Sequence, residues 1–140
     1  MKKVRLIYVS RMTEACDTKA LQDILDASQK NNAERGICGV LCYDPLFFMQ
    51  CLEGERDAVN EIYARIAADP RHKDLTLLEY ADIDEPLFGA WTMAFLRPDI
   101  LDKETLARFA HRGRVNPFTL SADQAREFLA AMAEVRRRSE

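Results

Sequence analysis

One polar side chain interrupts the apolar segment Leu46-Phe47-Phe48-Met49-Gln50-Cys51-Leu52. A run this apolar and aromatic predicts a β-strand that is buried on both faces. Alternate residues of a strand share a face, so the Gln50 amide points the same way as Leu46, Phe48 and Leu52. A buried amide group without a hydrogen-bond partner costs about 1–3 kcal/mol. We therefore expect other polar side chains to meet Gln50 in the interior.

Two earlier segments supply polar candidates. In the first predicted strand, alternation of apolar residues places Tyr8 on a buried face. In the first predicted helix, Ile24 and Ser28 lie on the inward face, which continues to Asn31 or Asn32. A neutral phenol and neutral amides thus converge on an apolar interior, with no carboxylate, histidine or lysine clearly among them.

This uncharged set suits a flat heterocycle with mixed donors and acceptors along its edge, because amides and a phenol satisfy either kind. It is a poor set for acid–base catalysis. A structural interpretation is also open, in which Tyr8 bonds to Gln50 across adjacent strands while Asn31 and Asn32 end a helix.

The order of these residues and their local contexts favour the ligand site. The contexts are Arg-Leu-Ile-Tyr-Val-Ser at 5–10, Asn-Asn at 31–32 with Gly-Ile-Cys-Gly-Val-Leu at 36–41, Phe-Phe-Met-Gln-Cys-Leu-Glu-Gly at 47–54, Asp-Pro-Arg-His at 69–72 and Trp-Thr-Met at 91–93. Together they resemble the BLUF family, blue-light sensors that bind FAD. The resemblance runs from about residue 4 to residue 96. It matches the family's flavin-site positions at Tyr8, Asn31, Asn32 and Gln50.

The resemblance implies a role for each of these four residues. Asn31 and Asn32 would address the pyrimidine edge of the flavin. Gln50 would address its N5 and O4 positions, with Tyr8 hydrogen-bonded to Gln50. FAD is the cofactor that the family name supplies, and FMN or riboflavin would fit the same residues.

The resemblance also implies apolar walls and a polar end. Ile24 and Ile66, one from each predicted helix, would hold the ring from both sides, with Phe48 and Ile37 closing the pocket. The candidates for the ribityl and phosphate end are Ser28, Lys30, Arg65 and Asp69. An exposed i,i+4 ion pair is the alternative interpretation of the last two.

The implied mechanism is photochemical rather than enzymatic, so no catalytic residue is predicted. Blue light excites the flavin, Tyr8 gives an electron and a proton by way of Gln50, and the pair recombines. The Gln50 amide is left rearranged, by rotation or tautomerisation, and the flavin absorption shifts to the red. Trp91 and Met93 share strand parity, so either could contact Gln50, and an exchange between them would carry the signal onward. A buried aromatic and a gap-filling Met are the structural alternative.

The predicted fold is an α+β, ferredoxin-like sandwich with a mixed five-stranded sheet and the order β-α-β-β-α-β-β, followed by two helices. The predicted helices are 17–29, one stopped by Asp69-Pro70, 101–111 and 122–137. The later strands are 36–43, 46–54, 75–81 and 91–96. We divide the chain into a flavin-binding domain, 1–97, and a C-terminal two-helix extension, 98–140.

One sheet face carries Ile7, Val9, Phe47, Met49 and Cys51. This face is too apolar to be exposed to water. The two C-terminal helices are predicted to cover it within the chain. The apolar stripe of the last helix comprises Ala125, Phe128, Leu129, Met132 and Val135. Packing between the protomers of a homodimer is the alternative.

Composition limits the remaining classes. With 140 residues and 48% hydrophobic content, the chain has room for one core, and a net charge of −3 gives no nucleic-acid signature. The four cysteines form no C-x-x-C pair, which favours free thiols in the cytoplasm over disulfides or a metal site. The start resembles no secretory signal, and no stretch is predicted to enter a membrane.

Two other functions are consistent with the same fold. One is a flavin-dependent oxidoreductase, although Ile24 and Ile66 would block access to the ring. The other is a non-photosensory ferredoxin-like module that binds a colourless ligand or a partner. The chain resembles the short BLUF members without an output domain, so a sensor of this kind would signal to a protein partner in trans.

Overall fold

A mixed five-stranded sheet lies at the centre of the computed structural model, which describes residues 2–140. The strands are β1 (Lys3–Met12), β2 (Cys38–Asp44), β3 (Phe47–Glu55), β4 (His72–Ile83) and β5 (Ala94–Leu96), and the α-helices are α1 (Thr18–Arg35), α2 (Arg56–Ala68), α3 (Lys103–Ala107) and α4 (Ala122–Arg138). The sheet order is β4-β1-β3-β2-β5, with β2 and β5 parallel and the other neighbours antiparallel. This confirms the predicted α+β, ferredoxin-like fold.

The central strand β3 is buried from Phe47 to Gly54 and pairs with β1 on one side and β2 on the other. Leu46 does not belong to it. Its backbone N–H is held by the Asp44 side chain at 2.7 Å in the turn after β2, and its own side chain is exposed. The predicted strand therefore begins one residue later.

Helix α1 is longer than the sequence predicted. Asp17 caps its start, and the helix continues past the two asparagines to Arg35, where Gly36 adopts a left-handed conformation and its N–H bonds to the Asn32 carbonyl. A glycine can take this conformation without the steric cost of a Cβ, so it supplies a stop that Asn31 does not. Both asparagines thus lie inside the helix.

The two faces of the sheet have separate cores. Helices α1 and α2 cover the face that carries Tyr8, Phe48 and Leu52. Helix α4 covers the opposite face, as predicted, and packs within the same chain. Its stripe of Ala125, Phe128, Leu129 and Met132 lies on the strand residues Ile7, Val9, Phe47, Met49 and Cys51.

The segments around β5 differ from the prediction. The strand predicted for 91–96 is formed only over Ala94–Leu96, because its pairing with β2 begins at Val40 opposite Ala94. The helix predicted for 101–111 is reduced to α3, which Asp102 caps and Arg108 ends, preceded by a 3₁₀ turn at Pro98–Ile100. Within residues 2–140, no helix has both the length and the apolar character needed to cross a membrane.

Candidate functional site

A cleft opens between α1 and α2 above the faces of β1, β2 and β3. Its lining residues are Tyr8, Ile24, Ala27, Ser28, Asn31, Asn32, Leu41, Phe48, Gln50, Ile62, Arg65, Ile66, Asp69, Arg71 and His72. The strands supply its floor, and the two helices supply its walls with an isoleucine on each side. The cleft is therefore flanked by flat apolar surfaces and carries polar groups on its floor and along its α1 wall.

Most of the cofactor-binding residues predicted from sequence line this cleft, and two do not. Lys30 is exposed on the outer side of α1, because it lies two positions after Ser28 and therefore on another helix face. Ile37 is buried in the core between the sheet and the helices without lining the cleft. A phosphate contact by Lys30 and a pocket wall at Ile37 therefore have no support in this geometry.

Five lining residues were missed, namely Ala27, Leu41, Ile62, Arg71 and His72. Two of them carried a usable signal. Ile62 lies one helical turn before Ile66, and Leu41 is the cross-strand partner of Gln50 on β2. Arg71 and His72 lie within the Asp-Pro-Arg-His motif, but no sequence pattern indicates that their side chains turn inward.

Tyr8 and Gln50 form the polar centre of the floor. They are direct cross-strand partners on β1 and β3, and each is only 2% exposed. The Tyr8 hydroxyl donates to Gln50 Oε1 over 2.6 Å, which is short for a hydroxyl donor. Burial, reinforced by Tyr63 and Asp69, raises the pKa of Tyr8 well above its usual value. Tyr8 is therefore a protonated donor at any ordinary pH.

The other end of the Gln50 amide faces Met93. Gln50 Nε2 lies 3.7 Å from the Met93 sulfur, and both side chains are buried. A thioether accepts hydrogen bonds weakly and cannot donate. The nitrogen end of the amide therefore belongs beside Met93 and the oxygen end beside the donating Tyr8.

Trp91 lies away from the cleft. Its ring nitrogen donates to Glu140 Oε1 over 3.1 Å, and the Arg137 guanidinium lies 5.0 Å from the ring centroid. The shared strand parity predicted for Trp91 and Met93 does not exist, because both residues precede β5. Met93 alone of the two contacts Gln50 in this structure.

Asn32 presents an unused acceptor. The side chain is 1% exposed, and its Nδ2 donates to the Thr92 carbonyl over 3.3 Å. Among the described residues, its Oδ1 has no hydrogen-bond partner. A buried acceptor without a donor is costly unless a ligand supplies the donor. The ring N–H of a flavin is such a donor, so the residues of this cleft fit that cofactor.

His72 packs in the floor next to the polar centre. Its Nδ1 shares a 2.8 Å hydrogen bond with the Ser10 hydroxyl, and its ring lies 5.0 Å from that of Phe48 and 6.5 Å from that of Tyr8, centroid to centroid. Burial is the main cause that lowers the pKa of His72 below its ordinary value. The imidazole is therefore neutral near pH 7.

The mouth of the cleft carries ion pairs that differ from the expected one. Arg65 pairs with Glu61 at 3.0 Å, one helical turn earlier, and not with Asp69. Asp69 pairs with Arg71 at 2.6 Å, and this hydrogen bond lowers the pKa of the Asp69 carboxyl. Both arginines line the cleft, and each is paired with a carboxylate.

Comparison with known proteins agrees with the site. The family described as BLUF, sensors of blue-light using FAD, matches residues 4–94. Photoactivated adenylate cyclase subunit beta of Euglena gracilis is 34% identical over 97 residues, which are 69% of this chain and 11% of that protein. The alpha subunit of the same organism is 33% identical over 91 residues, or 64% of this chain and 9% of that protein. The chain thus spans only about a tenth of the length of these curated relatives.

Two solved structures extend the likeness beyond the matched family region. The ground state of BlsA is 31% identical with a TM-score of 0.81, covering 93% of this chain and 87% of that one. The dark state of BlrB, a BLUF protein, is 27% identical with a TM-score of 0.70, covering 99% and 98%. With the family match over residues 4–94, these findings show that the chain belongs to the BLUF family of blue-light sensors.

Proposed function

We propose that this chain binds FAD non-covalently in the α1–α2 cleft and reports blue light through a reversible rearrangement of the Tyr8–Gln50 hydrogen bond. The observation that carries the proposal is the 2.6 Å bond from Tyr8 to Gln50 Oε1, buried in the floor of a cleft that the family match spans. The chain is proposed to be a sensor and not an enzyme.

The cleft residues divide by what they would hold. Ile24 and Ile66 would contact the two faces of the ring, since they line the cleft from opposite helices. The free Oδ1 of Asn32 would accept from the ring edge, with Asn31 beside it. Arg65 and Arg71 would donate to the phosphates with the guanidinium N–H groups that their carboxylate partners leave free, which supports FAD over riboflavin.

A bound flavin supplies the absorption of blue light and, once excited, a strong electron acceptor. Tyr8 is the donor that the floor offers. Because burial raises its pKa, its phenol does not lose a proton in advance, and the proton leaves with the electron or after it. Gln50 Oε1 lies 2.6 Å from the Tyr8 hydroxyl oxygen and would accept that proton. Return of both restores Tyr8, so no net chemistry remains.

The lasting change is proposed to lie in the Gln50 amide. Its two ends are similar in shape and opposite in hydrogen-bonding sense, so a reversal or a tautomer change needs little space. Reversal would bring Nε2 to Tyr8 and Oε1 to the Met93 sulfur, which offers no donor. The Met93 contact therefore favours the orientation seen here and makes the other orientation a higher-energy state.

The route outward is proposed to start at Met93. This residue directly precedes β5, which pairs with β2, and residues of β5 pack against α4. Residues 98–140 would then be an extension that receives the change through α4 and presents it to a separate protein partner. A homodimer is a second assembly that solution mass would detect. The four free thiols support a cytoplasmic location.

The test is to purify the protein, identify the extracted pigment by chromatography and record absorption before and after blue light. We expect a yellow protein containing FAD whose visible bands shift to the red and revert in darkness. Bleaching by a reductant and a substrate would instead support an oxidoreductase. A colourless protein that takes up no added flavin would contradict the proposal and leave a ligand-binding module.

A further inference from the structure

Glu53 is a fully buried charge on the sheet face opposite Gln50. Its side chain is 0% exposed, and it lies on β3 with the residues that face α4. Its cross-strand partner on β1 is Arg5, whose Nε donates to Glu53 Oε2 over 2.9 Å. A charge at this depth is costly unless hydrogen bonds satisfy it from several sides.

The remaining bonds of Glu53 come from a loop and not from the sheet. The backbone N–H of Leu87 donates to Oε2 over 3.0 Å, and that of Phe88 donates to Oε1 over 2.9 Å. Hydrogen bonds to a carboxylate are about twice as strong as those between neutral groups. One side chain therefore fixes two consecutive amides of the segment between β4 and β5, which has no strand or helix of its own.

That segment, residues 84–93, joins the two cores of the protein. The Phe88 ring is buried with the residues under α4, and the Met93 side chain is buried with the residues around Gln50. Between them, the carbonyl of Trp91 accepts from Gly39 N over 3.1 Å at the edge of the sheet. Asn32 and Gln29 of α1 hold the carbonyls of Thr92 and Met93. The position of Met93 is therefore set by these near contacts together with the anchor at residues 87–88.

A chain of ion pairs connects Glu53 to helix α4. Arg5 Nη1 lies 3.4 Å from Glu79 Oε1, and Glu79 Oε2 accepts from Arg126 Nε on α4 over 2.8 Å. Arg126 also pairs with the exposed Asp123, so each acid and each base of this chain of charges has a partner of opposite charge. The loop before β5 and helix α4 are thus tied to the same buried group on β3.

We propose that Glu53 is a positioning residue for the light-dependent switch, because it anchors residues 87–88 and so holds Met93 against the Gln50 amide from the far side of the sheet. The inference rests on the proposed function. Its consequence is specific, since loss of the anchor weakens one of the two contacts that favour the dark orientation of Gln50. We take this contact to be partly formed in the transition state for recovery, so its loss makes the lit state revert more slowly.

The main experiment replaces Glu53→Gln, which removes the charge and keeps the shape, with Glu55→Gln at the exposed end of the same strand as control. Flavin content and thermal unfolding establish that each variant is folded. We expect dark recovery to slow by about threefold in Glu53→Gln, the size of a weak sulfur contact, and to be unchanged in the control. Recovery equal to that of the parent protein in folded, flavin-bound Glu53→Gln would overturn the inference.

A double variant separates positioning from general loosening. If Glu53 acts through Met93, adding Glu53→Gln to Met93→Leu changes recovery no further, because the contact is already gone. If the two effects multiply in full, Glu53 acts elsewhere and the inference is wrong. This comparison measures kinetics in proteins of matched flavin content, so a uniform loss of stability does not imitate the result.

Amide hydrogen exchange on the unaltered protein covers the case in which Glu53→Gln does not fold. The N–H groups of Leu87 and Phe88 should exchange at least about ten times more slowly than those of Gly89 and Ala90, their neighbours in the same loop. Equal exchange at the four positions would show that the anchor is absent. This arm needs no light, so it stays decisive if the protein proves not to be photoactive.

Discussion

The Tyr8 hydroxyl and the Gln50 side-chain oxygen lie 2.6 Å apart across β1 and β3, in the buried floor of the cleft. The bond has only one chemical sense, because a buried phenol of raised pKa must donate and the amide oxygen must accept. The nitrogen end of the same amide meets a sulfur that accepts only. Gln50 is therefore held in one orientation by neighbours on both sides. Reversal of its amide raises the energy of the protein.

Tyr8→Phe should bind flavin and lose the reversible red shift. The ring that packs in the floor is kept, while the group proposed to give the electron and proton is removed. The measurement is the light-minus-dark absorption spectrum at equal flavin content. Tyr63→Phe is the matched control, because Tyr63 lies 5.8 Å from Tyr8, centroid to centroid, on α2 and should leave the shift intact. A normal shift in Tyr8→Phe would falsify the donor role.

Gln50→Leu should also keep the flavin and abolish the shift, since no amide remains to rearrange. It leaves the Tyr8 hydroxyl without its partner, so we expect a loss of about 1–3 kcal/mol in the free energy of unfolding. Urea denaturation measures that loss. Gln22→Leu on the exposed side of α1 is the control and should change neither property. A red shift that survives in Gln50→Leu would remove Gln50 from the mechanism.

Met93→Leu should change the rate of dark recovery, whereas Trp91→Phe should have little effect on it. Leucine has a similar volume and cannot accept a hydrogen bond, so the substitution removes the contact to Gln50 Nε2 at little packing cost, under about 1.5 kcal/mol. Trp91 contacts Glu140 and Arg137 instead. Flash photolysis of both variants gives the comparison. The opposite ranking would place the switch at Trp91.

Replacing Cys16, Cys38, Cys42 and Cys51 together by Ser should leave the photochemistry intact. Burial raises the pKa of Cys42 and of Cys51, so neither is a thiolate ready to react with an excited flavin. The hydroxyls will destabilise the core, because both thiols are buried as small apolar groups. Difference spectra of the folded fraction decide the matter. Loss of the red shift in folded, flavin-bound protein would implicate a thiol.

His72 should make stability fall as the pH is lowered from about 7.5 to 5.5. Burial lowers its pKa below the ordinary 6.5, so the unfolded chain binds the proton at a higher pH than the folded state does. The free energy of unfolding therefore falls in that window. Above the window both states are neutral and the effect is absent. Urea denaturation at the two pH values tests this, with His72→Phe expected to flatten the dependence. An identical slope in His72→Phe would assign the titration to another group.

Asp69 titrates with the opposite sign and in a lower window. The hydrogen bond from Arg71 lowers its pKa below the ordinary 3.8, so its contribution is present above that value and lost as the pH falls through the lowered pKa. The effects of Asp69 and His72 on the free energy of unfolding therefore do not overlap between pH 5.5 and 7.5. The His72 comparison can be read without correction for this ion pair.

The polar centre of the site was predictable because strand periodicity is strict. Gln50 inside an apolar run predicted a buried polar partner, Tyr8 on a buried face was a candidate for it, and the two are direct cross-strand partners. The stripe of α4 was predictable for the same reason, at helical spacing. Patterns of this kind report which face a residue occupies and carry no information on irregular segments.

What the sequence did not reveal depends on such segments. The strand predicted for 91–96 starts only at Ala94, since the segment before it is held by a distant carboxylate and by side chains of α1. That is why Trp91 and Met93 point to different cores. Glu53 could be seen only as part of a family motif, because nothing local to β3 indicates that its partners come from residues 87–88.

The rearrangement of the Gln50 amide is best tested by light-minus-dark infrared spectroscopy on flavin-bound protein carrying ¹³C at the glutamine side-chain carbonyl. If the amide rearranges, we expect an isotope-sensitive carbonyl band that shifts on illumination, returns in darkness at the rate of the absorption change, and is missing in Gln50→Leu. A full red shift of the flavin with every glutamine carbonyl band unmoved would contradict it.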